Sequence, residues 1–468
     1  MLMTEIKPLT DMGNAERFFE REKDGVLYCK EINRWLFWNG MRWQIDVNGE
    51  IHRRIQKTMK MIIEEVKYAE GDASLIEEIK AHARKSQAYG KINAAERLAR
   101  TAEGFQVTQT QLDSNPMLLN CLNGTIDLET GRLLPHSRRD LITRMVPVLY
   151  DEKAECPIWL TVLKKIMAND DAMVSYLQKV IGYALSGRVD EQCLFIFSGF
   201  GANGKSTVLE TIRVMLGDYA RHTPSCTLLM NNMAIRNDLA RLSGARLVSA
   251  VEIGMGKKLD EALVKQLTGG DPITSRFLFQ EYFEHRPTFK LFMAVNHKPE
   301  IRGVDYGIWR RLRLIPFNVI IKDDEMDRAL IGKLAKELPG ILAWAVQGCL
   351  EWQRSGLGMP DTSLSALREY REETDKITDF VNDCCRHEQE ARVPIKKLYE
   401  AYKSWAEENE GDVLTKKTLG QYMKQKGYIQ GKNDGIRFWK GLCLRSDAGE
   451  DQGVQLPPAP GVESHQTH

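Results

Sequence analysis

The sequence predicts an α/β protein, with a P-loop nucleotide-binding core between an N-terminal α/β region and a C-terminal winged helix. Three observations carry that expectation. An apolar run at 193–197 leads into Gly199-x-x-x-x-Gly204-Lys205-Ser206 and then into an amphipathic stretch, 207–216. Further apolar runs at 247–252 and 290–296 alternate with helical periodicity, the pattern of a parallel sheet. Residues 391–445 hold twelve Lys and Arg against six Asp and Glu, a basic unit suited to nucleic acid.

In chain order, residues 18 to about 43 read as short strands in which Trp35, Trp38 and Trp43 would form a small core, a hairpin packing face or a base-stacking platform. Residues 51 to about 66 and 74 to about 102 read as two charged amphipathic helices, with Met59, Ile62, Ile63 and Val66 at helical spacing. A hairpin-like segment follows at 118–135, with Asn123-Gly124 and Thr130-Gly131 as turn signals. Residues 157 to about 185 are helical, 324 to about 354 are helical, and 363 to about 381 make a charged connector. Residues 394–445 read helix, helix, short strand pair, and the Pro-containing tail after Arg445 has no periodicity and is expected to be disordered. The domain boundaries that follow are 1–110, an N-terminal α/β region of unassigned role; 111–190, a β-hairpin then helices; 191–355, the nucleotide-binding core; 356–390, a helical connector; 391–446, the winged-helix-like basic domain; and 447–468, the tail.

Composition narrows the function classes. At 468 residues, 43% hydrophobic and 28% charged, the chain is a soluble globular type of about two to four domains. No run of about 18 uncharged apolar residues exists and the N-terminus has no apolar signal core, so neither a membrane span nor secretion is expected. A net charge of +1 means that any nucleic-acid surface is local. The nine cysteines show no C-x-x-C pair, and Cys384-Cys385-x-His387 lacks the spacing of a zinc site. Reduced thiols and a cytoplasmic setting follow.

The glycine-rich loop carries the chemistry. Glycines let successive backbone N–H groups point at phosphates, and the following helix start adds partial positive charge. Gly199, Phe200, Gly201, Ala202, Asn203, Gly204, Lys205, Ser206 and Thr207 are therefore the expected ATP contacts, with Lys205 on the β/γ-phosphates and Ser206 on Mg²⁺. The run at 247–252 ends in Glu252, a candidate to polarise the attacking water and help hold Mg²⁺, although Val251 stands where many ATPases carry an Asp. The run at 290–296 ends in Asn296, whose amide could sense the γ-phosphate or simply start the turn before Pro299. Arg310 and Arg311 are candidates for an arginine finger reaching a neighbouring subunit, or for a solvated basic turn. Between 252 and 290, Gly269-Gly270-Asp271 precedes two β-rich runs, an inserted hairpin on which Lys265, Arg276, His285 and Arg286 could touch DNA phosphates.

In that order these stretches resemble a superfamily 3 helicase, an AAA+-like motor. More closely, they resemble the phage- and plasmid-type primase-helicase family that includes the poxvirus primase-helicase. The resemblance rests on SGFGANGKST, the strand to Glu252, KQLTGGDPITSR, KLFMAVNHKPEI and WRRLRLIPF. NCLNGTIDLETGRLLPHSRRDLITRMVPVLYDEKAECPIWLTVL extends it to the domain before the motor. It implies an ATP- and Mg²⁺-dependent DNA helicase of phage, prophage or mobile-element replication. Such a protein acts as a homo-hexameric ring on single-stranded and forked DNA, in bacterial or phage-infected host cytoplasm. The residues before Leu118 show no recognisable catalytic acidic pattern or zinc-ligand set, so the expectation is a helicase without its own primer synthesis, with room for a separate primase as partner. The rival reading is an ATP-controlled DNA-binding initiator or regulator that does not unwind.

Overall fold

The computed structural model describes residues 5–230, 237–251, 256–276, 282–301, 306–409 and 413–445. They fall into two compact units, one of residues up to 301 together with 310–367, the other of 306–309 and everything from Arg368 on.

The first unit opens with helix α1 (Asp11–Glu22), where strands were expected from residue 18. Thr10 caps it, its side chain accepting from Gly13 N, and Ala15 and Phe18 enter the core. Strands β1 (Val26–Cys29), β2 (Arg34–Trp38) and β3 (Trp43–Ile45) form an antiparallel meander. Helix α2 (Glu50–Met61) follows, then α3 (Ala73–Ser86) and α4 (Tyr89–Ala99). The single helix expected over 74–102 is thus broken, because Ala88 is extended (ψ 143°) and restarts the chain as the cap of α4. Strand β4 (Gln106–Val107) returns to pair parallel with β1.

Trp35 and Trp43 are buried, so the platform alternative fails for both. Trp35 packs edge-on against Phe18 and Phe105 while its Nε1–H donates to Glu96, and Trp43 Nε1–H donates to Arg138 O at 2.8 Å. Arg17 and Glu65 form a fully buried bidentate pair (2.6 and 2.7 Å), and the other Arg17 N–H groups reach the carbonyls of Lys7 and Pro8 and, at 3.4 Å, Asn14 Oδ1. With every donor used, that pair pins the N-terminal segment to α1.

Strands β5 (Leu118–Cys121), β6 (Gly124–Asp127) and β7 (Arg132–Leu134) make the second meander. Helices α5 (Pro157–Ile166) and α6 (Asp171–Leu185) lead from it to the central sheet. The sheet-forming part runs β8 (Leu194–Ser198), α7 (Lys205–Leu216), β9 (Ala220–His222), α8 (Asn237–Ala240), β10 (Leu247–Val251), α9 (Glu261–Gly269), β11 (Ile273–Ser275), β12 (Phe283–His285), β13 (Lys290–Val295), α10 (Tyr306–Trp309) and β14 (Leu312–Pro316). Five strands form one all-parallel sheet in the order β14-β8-β13-β10-β9. Every residue of β8 and β13 is buried, as expected of strands covered on both faces. Helices α11 (Leu330–Lys336) and α12 (Leu338–Ser355) close the unit, with α12 packed on α6.

Helix α13 (Asp361–Glu373) is followed by the second unit's α14 (Lys376–Cys384), β15 (Cys385–Pro394), α15 (Ile395–Glu408), α16 (Lys416–Gln425), β16 (Gln430–Asn433) and β17 (Ile436–Leu444). Its antiparallel sheet has the order β15-β17-β16, and Asp434-Gly435, both at positive φ, turn the last hairpin. Phe380, Leu398, Tyr402, Met423, Trp439 and Leu442 form its core. The expected connector therefore does not stay a connector, since from Arg368 on it belongs to this unit and Phe380 of α14 lies at its centre.

Candidate functional site

The parallel sheet places three chain segments side by side at its carboxyl edge, where open α/β sheets gather ligands. Ser198 ends β8 opposite Val295 of β13 and Pro316 of β14, so Gly199, Asn296 and Phe317 leave the sheet together. The Gly199–Gly204 turn is held from below by Phe317 N–H, which donates to Ser198 O (2.7 Å), and by Ile321 N–H, which donates to Ala202 O (2.8 Å).

Two of its glycines are obligatory. A Cβ on Gly199 would sit 2.2 Å from Phe317 O and 2.5 Å from Asn203 Nδ2. Gly204 has φ +85° and its Cβ would meet Ile166 Cγ2 at 2.9 Å. Ala202 also lies in the left-handed region at φ 56°, a strained conformation for a residue with a side chain. Asn203, which the sequence reading treats as one loop residue among several, is the organiser. Its Nδ2 donates to Phe200 O (2.7 Å) and Phe317 O (3.0 Å), and its Oδ1 accepts from Lys205 Nζ (3.0 Å).

Lys205 is the first residue of α7 and is 5% exposed. Its ammonium donates to three neutral oxygens, Gly199 O (2.5 Å), Asn203 Oδ1 and Asn296 Oδ1 (3.2 Å). Burial pushes its pKa down. Among the described residues this buried cation has neutral acceptors alone, beside a helix start, an environment that favours an anion. Ser206 is exposed on the first turn of α7, Thr207 half-buried behind it, and Gly201 open to solvent. Phe200 is 72% exposed, its ring edge-on to His297 with centroids 6.3 Å apart. Glu252 lies outside the described residues; Val251, just before it, ends β10 opposite Ala294. Among the described residues no group of three or more His, Cys, Asp or Glu could hold a metal ion.

Arg310 and Arg311 stand at the other edge. Leu194 N–H, at the start of β8, donates to Arg311 O at 2.8 Å, so the five residues of β8 separate the arginines from the loop. At ~3.3 Å per residue that is about 16 Å, farther than an arginine side chain reaches. The two differ in environment: Arg310 is exposed and donates to Gln192 Oε1 (2.9 Å), whereas Arg311 is buried. The same edge carries two buried cations that the sequence reading missed. Lys290 donates to Ser186 O and Arg188 O (3.2 Å), and Arg246 to Leu185 O and Leu118 O. They neutralise the carboxyl end of α6, and burial pushes both pKa values down.

Strands β11 and β12 are an antiparallel pair whose connecting residues, 277–281, lie outside the described residues, Phe277 and Phe279 included. Lys265 is half-buried on α9, and Arg286 is exposed just after β12. The Arg276 guanidinium lies 4.7 Å from the centre of the exposed Tyr282 ring. His285 points inward: its Nε2 is buried without a partner, and burial pushes its pKa down. It is therefore a poorer cation than its neighbours. A cavity of about 420 Å³ opens beside this pair, lined by Leu263, Gln266, Thr274, Arg276 and Tyr282 among others.

No helix among the described residues is long and apolar enough to cross a membrane. Residues 15–168 match the family described as D5 N terminal like, and residues 372–440 the family described as Poxvirus D5 protein-like. Residues 197–311 match a family of unknown function. Among curated proteins, the chain is 27% identical over 350 residues to "Putative helicase L207/L206" of Acanthamoeba polyphaga mimivirus, a match covering 69% of this chain and 36% of the relative. It is 26% identical over 317 residues to "Putative primase C962R" of African swine fever virus (isolate Tick/Malawi/Lil 20-1/1983), covering 62% of this chain and 32% of that protein. The chain thus spans about a third of the length of these relatives. Among solved structures, the apo NrS-1 C-terminal region matches with a TM-score of 0.50 at 11% identity, over 92% of this chain and 99% of that one, a likeness of fold.

Proposed function

Because the chain belongs to the D5-like primase-helicase family, we propose that it is the ATP-driven motor of a replicative DNA helicase. The observation that carries the reading is Lys205, buried at the start of a helix, at the carboxyl edge of a parallel sheet, with three neutral oxygens as partners. Those partners fit a nucleotide triphosphate, because its phosphates would supply the countercharge that Lys205 lacks. ATP with Mg²⁺ supplies the γ-phosphoryl group whose hydrolysis drives the motor.

On this reading the Gly199–Gly204 turn is the P-loop, cradling phosphates with its N–H groups while Lys205 exchanges its loop oxygens for β/γ-phosphate oxygens. The exposed Ser206 hydroxyl and Glu252 would hold a magnesium ion, which would offset phosphate charge, and Glu252 would polarise the attacking water. Asn296, already bonded to Lys205, senses the γ-phosphate. Arg310 is the finger, because it is exposed and its own loop is out of reach; it completes the pocket of the next subunit in a ring, a hexamer by family analogy. Arg311 is structural. The β11–β12 pair, with Arg276, Arg286 and Lys265, grips one DNA strand in the ring. The second unit is a winged helix: α16 carries Lys416, Lys417 and Lys424, and the β16–β17 hairpin is the wing.

Steady-state ATP hydrolysis with and without single-stranded DNA tests the proposal. Stimulation by the strand, abolished in Lys205→Ala, is expected. Hydrolysis indifferent to DNA and dependent on a small phosphate acceptor would replace the motor by a kinase.

A further inference from the structure

Around the edge strand β9, guanidinium groups gather from distant stretches of the chain. Arg42, from the β2–β3 loop, donates to the Asp218 carboxylate. Arg144 Nη1 donates to the main-chain oxygen of the same residue (3.0 Å), and its Nη2 to Ser243 O (2.7 Å), two residues past the exposed Arg241. Arg221 lies on β9 itself, three residues after Asp218. Among the described residues Arg42 pairs with Asp218 and Arg144 Nε lies 4.0 Å from Asp113, two carboxylates beside four cations.

Positive charge is therefore in excess, and the hydrogen bonding is incomplete. Among the described residues Arg42 Nε–H and Arg144 Nε–H are buried with no acceptor in hydrogen-bond range, a state that native structures rarely tolerate, while His136, whose Nδ1–H donates to Asn120 Oδ1, leaves its Nε2 buried without a donor. His136 joins the cluster through Asn120, whose Oδ1 it meets at 2.9 Å and whose amide donates to Met41 O and Arg144 O. Burial and then the repulsion of Arg144 push the Arg221 pKa down. The basic surface also continues outward, since the Arg138 carbonyl accepts from Trp43, the neighbour of Arg42, and Arg138 and Arg139 are both exposed.

We infer that this cluster binds the phosphodiester backbone of a nucleic-acid strand, through residues other than those of the β11–β12 pair. Guanidinium forks match phosphate oxygens two at a time. Arg42, Arg144, Arg221 and Arg241 come from four separate stretches of the chain, more guanidinium groups than one phosphate engages, so a backbone suits them better than a free phosphate. The site rests on the nucleic-acid reading above. It would give the motor a second grip on the strand, on the same residues that tie the N-terminal region to the sheet.

The test is the salt dependence of oligothymidine binding, by anisotropy, for the full chain and for Arg221→Gln/Arg241→Gln. Each phosphate contact on a single strand contributes a slope of about 0.7 in log K against log salt. The double variant should therefore be shallower by about 1.4, with basal ATP hydrolysis unchanged; Arg241→Gln alone, at an exposed position, should lose about half of that. An unchanged slope with DNA-stimulated hydrolysis intact overturns this site and leaves the motor standing, whereas a wild type that binds no strand removes both. An unchanged slope in which inorganic phosphate raises the wild-type melting temperature but not the variant's makes this a free-anion site, and also overturns the assignment.

Discussion

Mixing two inactive variants should restore ATP hydrolysis, and by a calculable amount. Lys205→Ala removes the phosphate-loop ammonium but keeps Arg310; Arg310→Ala keeps Lys205. Arg311 O is bonded to the first residue of β8 and the loop follows its last, so about 16 Å of strand keeps Arg310 from the pocket of its own chain. Each variant alone then lacks one half of every pocket. A finger in trans contributes on the order of 10³–10⁵ in turnover, so either preparation should fall to a thousandth of wild type or less. In an equal, freely exchanging mixture, half the loops are intact and half of their neighbours bring an arginine. About a quarter of the head-to-tail interfaces are then complete. The assay is steady-state ATP hydrolysis at constant total protein with the mixing ratio varied, and recovery should peak near equal amounts. A mixture no more active than the average of its components would refute the shared pocket, as would an Arg310→Ala protein of full activity.

Gly199→Ala should abolish nucleotide binding and lower the melting temperature, because its Cβ would meet Phe317 O at 2.2 Å; a thermal-shift scan with and without ATP reads both. Asp46 accepts N–H bonds from Asn48, Glu50 and Ile51 ahead of α2. Burial raises its pKa, but those bonds outweigh it and hold the carboxyl below the usual range. Its stabilisation is therefore present above the unfolded value of about 3.9 and lost as pH falls through the lower folded value. Asp46→Ala should cost ~0.5–2 kcal/mol at neutral pH and nothing once both states are protonated, as urea melts at several pH values would show. Arg286→Ala should make the salt slope of single-strand binding shallower by about 0.7, while His285→Ala, an inward imidazole that burial disfavours as a cation, should leave it unchanged at neutral pH.

Much of the central sheet was legible because its chemistry is local. The strands at 194–198, 247–251 and 290–295 are largely apolar runs, and a lysine after a glycine-rich turn is visible in eight letters. Strand β9 was not legible: its three residues, Ala220–His222, carry no apolar run, and only pairing with β10 makes them a strand. Helix α1 was hidden because its paired Phe18 and Phe19 precede a run of aromatic strands, and Thr10 was the overlooked capping signal. The role of Asn203 could not be read, since it depends on the carbonyl of Phe317, more than a hundred residues away. Buried Lys290 and Arg246 carry no signal of their own in the sequence; only the carboxyl end of α6 explains them. The arginines around β9 come from separate segments, and no spacing rule joins them.

Strand displacement on a forked duplex, followed by fluorescence as the labelled strand is released, tests the central claim most directly. The account predicts release that requires hydrolysable ATP and magnesium and is absent in Lys205→Ala. ATP hydrolysis without release of the strand would contradict it, leaving an ATP-controlled initiator that assembles on DNA but does not open it.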